Sequence, residues 1–254
     1  MTEYLVFRLY GPLASWGNIA VGEERPSFRF PTKSAIIGLC AAAMGIRRDT
    51  DSEHVQLSQG LGYAVKTFES GSLLRDYHTI QTPGRVGKNA APKVTRRQEL
   101  SDRLNLGTIL SSRDYYCDSL HDVALWAKDS GLSLSQLREH LHRPKFQLYL
   151  GRKACTLALP LKPEIIAAET LKTAFQKYNE LRVSEMQKES PLQALSVKPP
   201  FVSLVGRATY HWEDKPDSGL ASQAQVSRRD EVLSRQRWQF LERSESYSIE
   251  KETD

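Results

Sequence analysis

The sequence predicts an α+β fold that opens with a strand, a helix and two further strands. Residues 4–10 alternate with a period of two, and residues 34–46 form an uncharged, mostly apolar run. Residues 61–68 and 73–80 are two more apolar stretches, separated by polar residues and a glycine. Elements in this order begin a ferredoxin-like β-α-β-β-α-β unit.

The first strand and the first helix have the clearest signals. Leu5, Phe7 and Leu9 fall on one side of the strand, as expected for a half-buried strand. Thr32 is suited to cap the N-terminus of the helix, and Gly45 is suited to end it.

Later segments are expected to complete the unit. Residues 61–68 and 73–80 are predicted to pair with each other as a hairpin. Residues 114–126 have strand character, residues 133–142 carry leucines on one helical face, and residues 146–150 alternate again as a strand. These segments would finish the unit near residue 160.

An irregular stretch rich in Gly, Pro and Asn interrupts this unit. Inserted loops of this length are usually functional or disordered.

In the region that follows the unit, residues 165–181 look helical and residues 201–212 are a plausible strand. The predicted organisation is a ferredoxin-like palm (1–81 and 107–160), an inserted basic segment (82–106), a less regular C-terminal region (161–243) and a flexible acidic tail (244–254).

Composition excludes several classes of protein. The chain has 254 residues, and its three cysteines lack a C-x-x-C pair, which argues against a disulfide scaffold or a zinc site and favours a reducing cytoplasm. The apolar run at 34–46 is shorter than the ~18 residues that a membrane span needs. The net charge of +5 is mild and does not by itself identify a partner.

The local distribution of charge says more than the total. Residues 75–113 contain eight basic and three acidic residues, and residues 143–153 contain four basic residues and no acid. Phe146 and Tyr149 lie within the second patch. Cations beside aromatic rings suit a single-stranded nucleic acid, because cations neutralise phosphates and rings stack on unpaired bases. The alternative is an ordinary basic surface with both rings in the core.

The region around the first helix adds a second candidate site. Arg25, Arg29 and Lys33 precede or begin this helix, where positive charge opposes the helix dipole. A phosphate or an acidic partner would relieve that repulsion. Trp16 lies in a turn, where a large ring needs cover.

Catalytic and metal-binding signatures are absent from the sequence. There is no G-x-S-x-G, no P-loop and no G-x-G-x-x-G motif. His140 and His142 are two residues apart on a predicted helix, so their rings would point to nearly opposite faces. We therefore expect no metal site and no cofactor.

Several ordered motifs together resemble the CasD family of type I-E CRISPR Cascade complexes. The N-terminal part contributes Leu9-x-Gly-Pro-x-x-Ser-Trp-Gly17 and Arg25-Pro-x-x-Arg-Phe-Pro-Thr-Lys-Ser34. Later matches are Leu74-Arg-Asp-Tyr-His-Thr79, Arg113-Asp-Tyr-Tyr-Cys-Asp118 and Tyr149-Leu-Gly-Arg-Lys-x-Cys155. The resemblance runs from the first strand to about residue 155 and is weaker beyond residue 160.

This resemblance implies an RRM-like palm with an inserted thumb and a non-catalytic role. Such a subunit would grip the 5′ handle of the CRISPR RNA, cap the filament of backbone subunits, adjoin the large subunit and meet target DNA only through the complex. It implies RNA contacts first at Arg113 and Tyr149, and further at Arg29, Lys33, His78, Arg152, Arg25 and Lys153. It also implies thumb contacts with a neighbouring subunit at Arg85, Lys88, Lys93, Arg96 and Arg97.

Two other functions remain open at this stage. A metal-independent endoribonuclease would need an acid and a base, which His78, Tyr77 and a nearby lysine are able to supply. A protein-interaction module would use the basic segment to meet an acidic partner. Trp16 either belongs to the core or faces the large subunit.

Overall fold

The computed structural model describes residues 1–83, 94–129, 131–188, 208–213, 215 and 217–250. The strands are β1 (Thr2–Ala14), β2 (Trp16–Gly17), β3 (Glu24–Arg25), β4 (Ser27–Phe28), β5 (Leu61–Glu69), β6 (Ser72–Pro83), β7 (Leu106–Ala127), β8 (Glu164–Ala168), β9 (Thr209–Glu213), β10 (Ala224–Ser234) and β11 (Gln239–Ile249). The helices are α1 (Lys33–Met44), α2 (Asp51–Gly60), α3 (Arg96–Glu99), α4 (Leu134–His142) and α5 (Leu171–Lys188), with a 3-10 turn at Arg103–Asn105.

Within these described ranges, nine strands form one mainly antiparallel sheet. Its main order is β10-β11-β9-β5-β7-β1-β8, and β3 and β6 pair with the outer part of β7. Along the chain, α1 lies between β1 and β5, and α4 lies between β7 and β8. The predicted mixture of helices and antiparallel strands is therefore present.

The sheet has a hydrophobic core on each face. Phe7 and Val123, which pair in register, belong to the core that also contains the apolar side chains of α1 and α4. Val6 and Ala124 lie on the opposite face, in the core under α5. Both faces of the central sheet are thus covered, which explains why its strands are apolar on both sides.

The first predicted elements are confirmed. Residues 4–10 lie in β1, and α1 begins after Thr32, whose side chain accepts a hydrogen bond from the Ala35 backbone N–H. Gly45 ends the helix with φ of 81°, a left-handed conformation that favours glycine.

The predicted hairpin between residues 61–68 and 73–80 is wrong. Strands β5 and β6 lie end to end along the same partner, because β7 is 22 residues long and offers an edge to both. In β5, Leu61 pairs with Ala127 near the end of β7. In β6, the pairing with β7 runs from Ser72 opposite Cys117 to Pro83 opposite Leu106. Strand β6 and residues 106–117 of β7 therefore form a ribbon, which starts ten residues before the predicted insertion at residue 82.

Two predictions around residues 146–181 also need correction. Residues 146–150 do not form a strand, and Tyr149 makes only an isolated bridge with Thr156. This segment is instead tied to α1, because the Lys145 and Phe146 backbone N–H groups donate to carbonyls of that helix. The fourth strand of the central sheet is β8, at the start of the predicted helix 165–181, and α5 begins only after it.

The prediction of a flexible acidic tail at residues 244–254 is wrong for residues 244–250, which the structure describes. Residues 244–249 belong to β11, which pairs with β9 and β10, and Glu245 is fully buried. Of the predicted strand 201–212, residues 209–212 lie in β9, and residues 201–207 are outside the described residues. The C-terminal region therefore extends the sheet.

A buried ion pair joins the start of α1 to this C-terminal sheet. The Lys33 side chain is fully buried, and its Nζ lies 2.6 Å from Glu213 and 2.7 Å from Glu231. Its backbone N–H donates to Asp230 at 2.8 Å. The prediction that Lys33 contacts RNA is wrong, since its charge is already neutralised inside the protein.

None of the helices in the described residues is long and apolar enough to cross a membrane.

We predict that Lys33→Ala lowers the free energy of unfolding by about 3–5 kcal/mol, the usual effect of breaking a buried ion pair. The loss arises because Glu213 and Glu231 would be left without their shared cation. Urea unfolding measures the change. Arg29→Ala removes an exposed cation from the same segment and should change stability by less than about 0.5 kcal/mol. Equal effects of the two substitutions would contradict the prediction.

Candidate nucleic-acid interface

Three of the predicted RNA-binding arginines meet at the base of the ribbon. Strand β3 pairs in parallel with β7, which sets Arg25 opposite Arg113. The Arg152 guanidinium donates to the Arg25 carbonyl at 3.1 Å and lies 4.6 Å from the centre of the Tyr115 ring. We call Arg25, Arg113, Arg152 and Tyr115 the Tyr115 cluster.

Tyr115 was not among the predicted residues, although the sequence contains a signal for it. It lies two positions after Arg113, so both side chains fall on the same face of β7. The ring itself is buried, with only 8% exposed, so it supports Arg152 and does not offer a stacking surface.

The arginines of this cluster are not neutralised by acids. Among the described residues, no carboxylate lies within 4.0 Å of the guanidinium of Arg25, Arg113 or Arg152. Asp76 is the register partner of Arg113, but its carboxylate lies 3.0 Å from Nδ1 of His78. The cluster therefore keeps a positive charge that an external anion is able to meet.

Residues 145–156 form a second part of the same surface. Phe146 and Tyr149 are 47% and 37% exposed, so the alternative that both rings belong to the core is wrong. The segment is held in place where the Ser15 N–H donates to the Leu150 carbonyl at 3.0 Å. Lys153 is exposed beside it.

The remaining predicted residues are more scattered. Arg29 is exposed between β4 and α1, and His78 lies on the ribbon, on the same face as Arg113. Arg96 pairs with Glu99 at 2.9 Å and also donates to the Gln81 carbonyl, while Arg97 is exposed. The predicted thumb residues Arg85, Lys88 and Lys93 lie outside the described residues.

Trp16 belongs to the core, which is the first of its two predicted positions; the other was a contact with the large subunit. Its side chain is 1% exposed, and its ring meets the His121 ring edge-on at 6.0 Å between centres. Burial lowers the pKa of His121 to about 3, so this ring is neutral at ordinary pH. Trp16 therefore helps to hold the β1–β7 core and cannot reach a partner subunit.

The two faces of the ribbon differ in their charged groups. Alternation along β6 and β7 sets His78 and Arg113 on one face, together with the exposed Leu74 and Ile109. The other face carries Leu73, Tyr77 and Leu110, all exposed, and the Arg75–Asp114 ion pair at 2.7 Å. Only the first face continues into the Tyr115 cluster.

No group of three or more His, Cys, Asp or Glu side chains is arranged to hold a metal ion in the part of the chain that the structure describes. Exposed or half-buried cations next to aromatic rings are the arrangement typical of proteins that bind single-stranded nucleic acids.

Comparison with known proteins identifies the family. A family model described as CRISPR-associated protein (Cas_Cas5) matches residues 4–244, and the chain belongs to this family. The "CRISPR system Cascade subunit CasD" of Escherichia coli (strain K12) is 34% identical to it over 170 residues, which cover 63% of this chain and 70% of the relative. The family resemblance seen in the sequence motifs is thereby confirmed.

Two solved structures share the fold. A chain from a "CRISPR RNA-guided surveillance complex" matches with a TM-score of 0.60 and 22% identity, covering 97% of this chain and 89% of that chain. A "Crystal structure of Cas protein" matches with a TM-score of 0.57 and 23% identity, covering 97% of this chain and 94% of that chain.

We predict that Gly151→Ala destabilises the surface formed by residues 145–156. Gly151 has φ of 86°, and a Cβ atom there would lie 1.9 Å from the Ser15 carbonyl oxygen. Backbone strain of this kind costs about 1–3 kcal/mol, which thermal or urea unfolding would detect. Gly17→Ala is the control, because a Cβ at Gly17 meets no atom within 4 Å. Indistinguishable unfolding midpoints for the two variants would contradict this account.

Proposed function

We propose that this protein is a type I-E Cascade subunit that holds the 5′ handle of the CRISPR RNA without cleaving it. Membership of the family and the CasD relative support a role in a CRISPR complex. The observation that carries the RNA-binding role is the Tyr115 cluster, where Arg25, Arg113 and Arg152 converge without acidic partners.

The palm is proposed to be ferredoxin-like. The sheet order β5-β7-β1-β8, with α1 and α4 as the two connecting helices, supports this assignment. RRM domains stack bases on an open sheet face. In this chain helices cover both faces, so RNA would bind at the base of the ribbon and along residues 145–156.

The ribbon is proposed to separate two partners. Its Arg113 face would meet the RNA, and its face with Leu73, Tyr77 and Leu110 would dock on the neighbouring backbone subunit. The thumb cations, including Arg96 and Arg97, would contribute at the ribbon's far end. Contact with the large subunit, and with target DNA through the complex, completes the proposed set of partners, in the cytoplasm.

A non-catalytic role is favoured over the endoribonuclease alternative. Tyr77 and His78 are neighbours on a strand, so their side chains point to opposite faces of the ribbon. An acid and a base on opposite faces cannot act on one phosphodiester.

We predict that Arg113→Ala and Tyr149→Ala each reduce retention of guide RNA while the complex still assembles. Loss of a phosphate or stacking contact is worth about 1–3 kcal/mol, so affinity should fall roughly 5- to 150-fold. RNA content of the co-expressed, purified complex measures the effect. Arg138→Ala, on α4 and 3.7 Å from Glu139, is a matched loss of charge away from the candidate interface and should retain RNA.

Unchanged RNA retention in both site variants would refute the site assignment. Cleavage of repeat RNA by the purified chain without metal, abolished by His78→Ala, would refute the non-catalytic role.

We predict that the double substitution Tyr77→Ala and Leu110→Ser prevents stable docking of the neighbouring backbone subunit. Removing two exposed apolar side chains from one interface should cost more than about 1.4 kcal/mol, a tenfold loss of affinity. Size-exclusion chromatography of the co-expressed subunits measures assembly. Ile109→Ser changes the opposite face of the same ribbon and should leave assembly intact; the reverse pattern would overturn the assignment of faces.

A further inference from the structure

The turn between β10 and β11 carries a second cluster of cations on an exposed ring. Trp238 is 54% exposed, and the guanidinium carbons of Arg48 and Arg235 lie 4.2 and 4.6 Å from its ring centre. Arg48 also donates to the Arg235 carbonyl at 3.3 Å. We call these three residues the Trp238 cluster.

The cluster is pre-organised by the backbone around it. The Asp51 carboxylate accepts hydrogen bonds from the N–H groups of Arg235 and Gln236 at 2.7 and 3.0 Å, and from the Ser234 hydroxyl at 2.6 Å. Because Asp51 is engaged in holding the turn, it does not form an ion pair with either guanidinium. A fixed turn lowers the entropic cost of binding a ligand there.

The two arginines have no acidic partner in the described ranges, although their like charges are close together. No carboxylate lies within 4.0 Å of either guanidinium. Nε of Arg235 is buried without a hydrogen-bond acceptor. Burial and the nearby charge of Arg48 lower the pKa of Arg235, as expected for an uncompensated cation. An anion between the two guanidiniums would relieve this repulsion.

The cluster adjoins the surface that carries Tyr149. The Arg235 guanidinium approaches α1 at Gly38, where a Cβ would lie 3.3 Å from it. The Phe146 N–H donates to the carbonyl of Ala42, one helical turn further along α1. The Tyr149 hydroxyl is near enough to interact electrostatically with the Arg235 guanidinium, so the exposed rings of Tyr149 and Trp238 both lie near Arg235.

We infer that the Trp238 cluster binds one unpaired nucleotide of RNA, with a phosphate between Arg48 and Arg235 and the base against the exposed part of the Trp238 ring. Two guanidiniums against one ring suit a phosphate, and an exposed indole suits a base of any sequence. The inference rests on the proposed RNA-binding function and extends the RNA path beyond Tyr149 to the C-terminal region.

Tryptophan fluorescence of the full-length protein tests this inference directly. Trp16, Trp126 and Trp212 are at most 7% exposed, so a ligand that stacks on tryptophan reaches only Trp238 in the described structure. The probe is a single-stranded RNA of about ten nucleotides, within the ~4–16-nucleotide range of such sites. We expect quenching on titration, no quenching in Trp238→Phe, and a roughly 5- to 150-fold weaker affinity in Trp238→Ala.

Salt dependence gives a second readout that does not depend on the ring. Arg48 is exposed, and Arg48→Gln should reduce the slope of log affinity against log salt by about 0.7, the value for one phosphate contact on a single strand. Arg237→Gln is the matched control, because this exposed arginine lies in the same turn and makes no described contact with the ring. An unchanged slope in Arg48→Gln would overturn the inference.

The outcomes separate this inference from the proposed function. If Arg113→Ala and Tyr149→Ala weaken RNA binding but Trp238→Ala and Arg48→Gln do not, the inference is wrong and the proposed function stands. If the wild-type protein and its complex bind no RNA, both fail. If Trp238→Ala releases a partner subunit while the complex keeps its RNA, the cluster is a protein contact and the inference is wrong.

Discussion

The fold depends on a lysine ammonium group buried away from water. Removing such a charge from water is costly unless hydrogen-bonded anions surround it. For Lys33 these anions are Glu213 on β9 and Glu231 on β10, at 2.6 and 2.7 Å, while Asp230 accepts from the backbone N–H at the start of α1. The N-terminal helix and the C-terminal strands therefore fix each other's positions, and the C-terminal region cannot be a loose appendage.

Buried acids of the C-terminal strands explain why a mild net charge accompanies a basic surface. Glu245 is fully buried and lies 2.6 Å from Arg243, which also binds Asp230. Burial would raise the pKa of Glu245, but the His211 hydrogen bond and the Arg243 charge outweigh it and lower that pKa to about 2. Because these carboxylates are used inside the protein, the cations of the Tyr115 and Trp238 clusters dominate where they are exposed.

Sequence patterns correctly predict the elements whose formation depends on residues close together in the chain. The period-two alternation of residues 4–10 and the cap at Thr32 depend on neighbours in the chain, and both predictions are confirmed. The sequence predicts an RNA contact for Lys33 because its true partners are 180 and 198 residues away and give no signal in the neighbouring sequence. The arrangement of β5 and β6 was missed for a similar reason, since it depends on the length of β7. Motifs predict Arg113 and Tyr149, and the spacing from Arg113 points to Tyr115, whereas the Trp238 cluster requires the fold because Arg48 and Trp238 are far apart in the chain.

The position of the candidate interface follows from the covered sheet. With α1 and α4 on one face and α5 on the other, the described central strands β5, β7, β1 and β8 leave no open platform for bases. Exposed rings and cations therefore occur outside the covered central sheet. They lie at the base of the ribbon, along residues 145–156 and at the β10–β11 turn. The second and third of these places adjoin α1, and the first meets the second where Arg152 lies against Tyr115. A duplex would hide its bases from such rings, so this distribution favours a single strand that passes α1 from Arg113 toward Trp238.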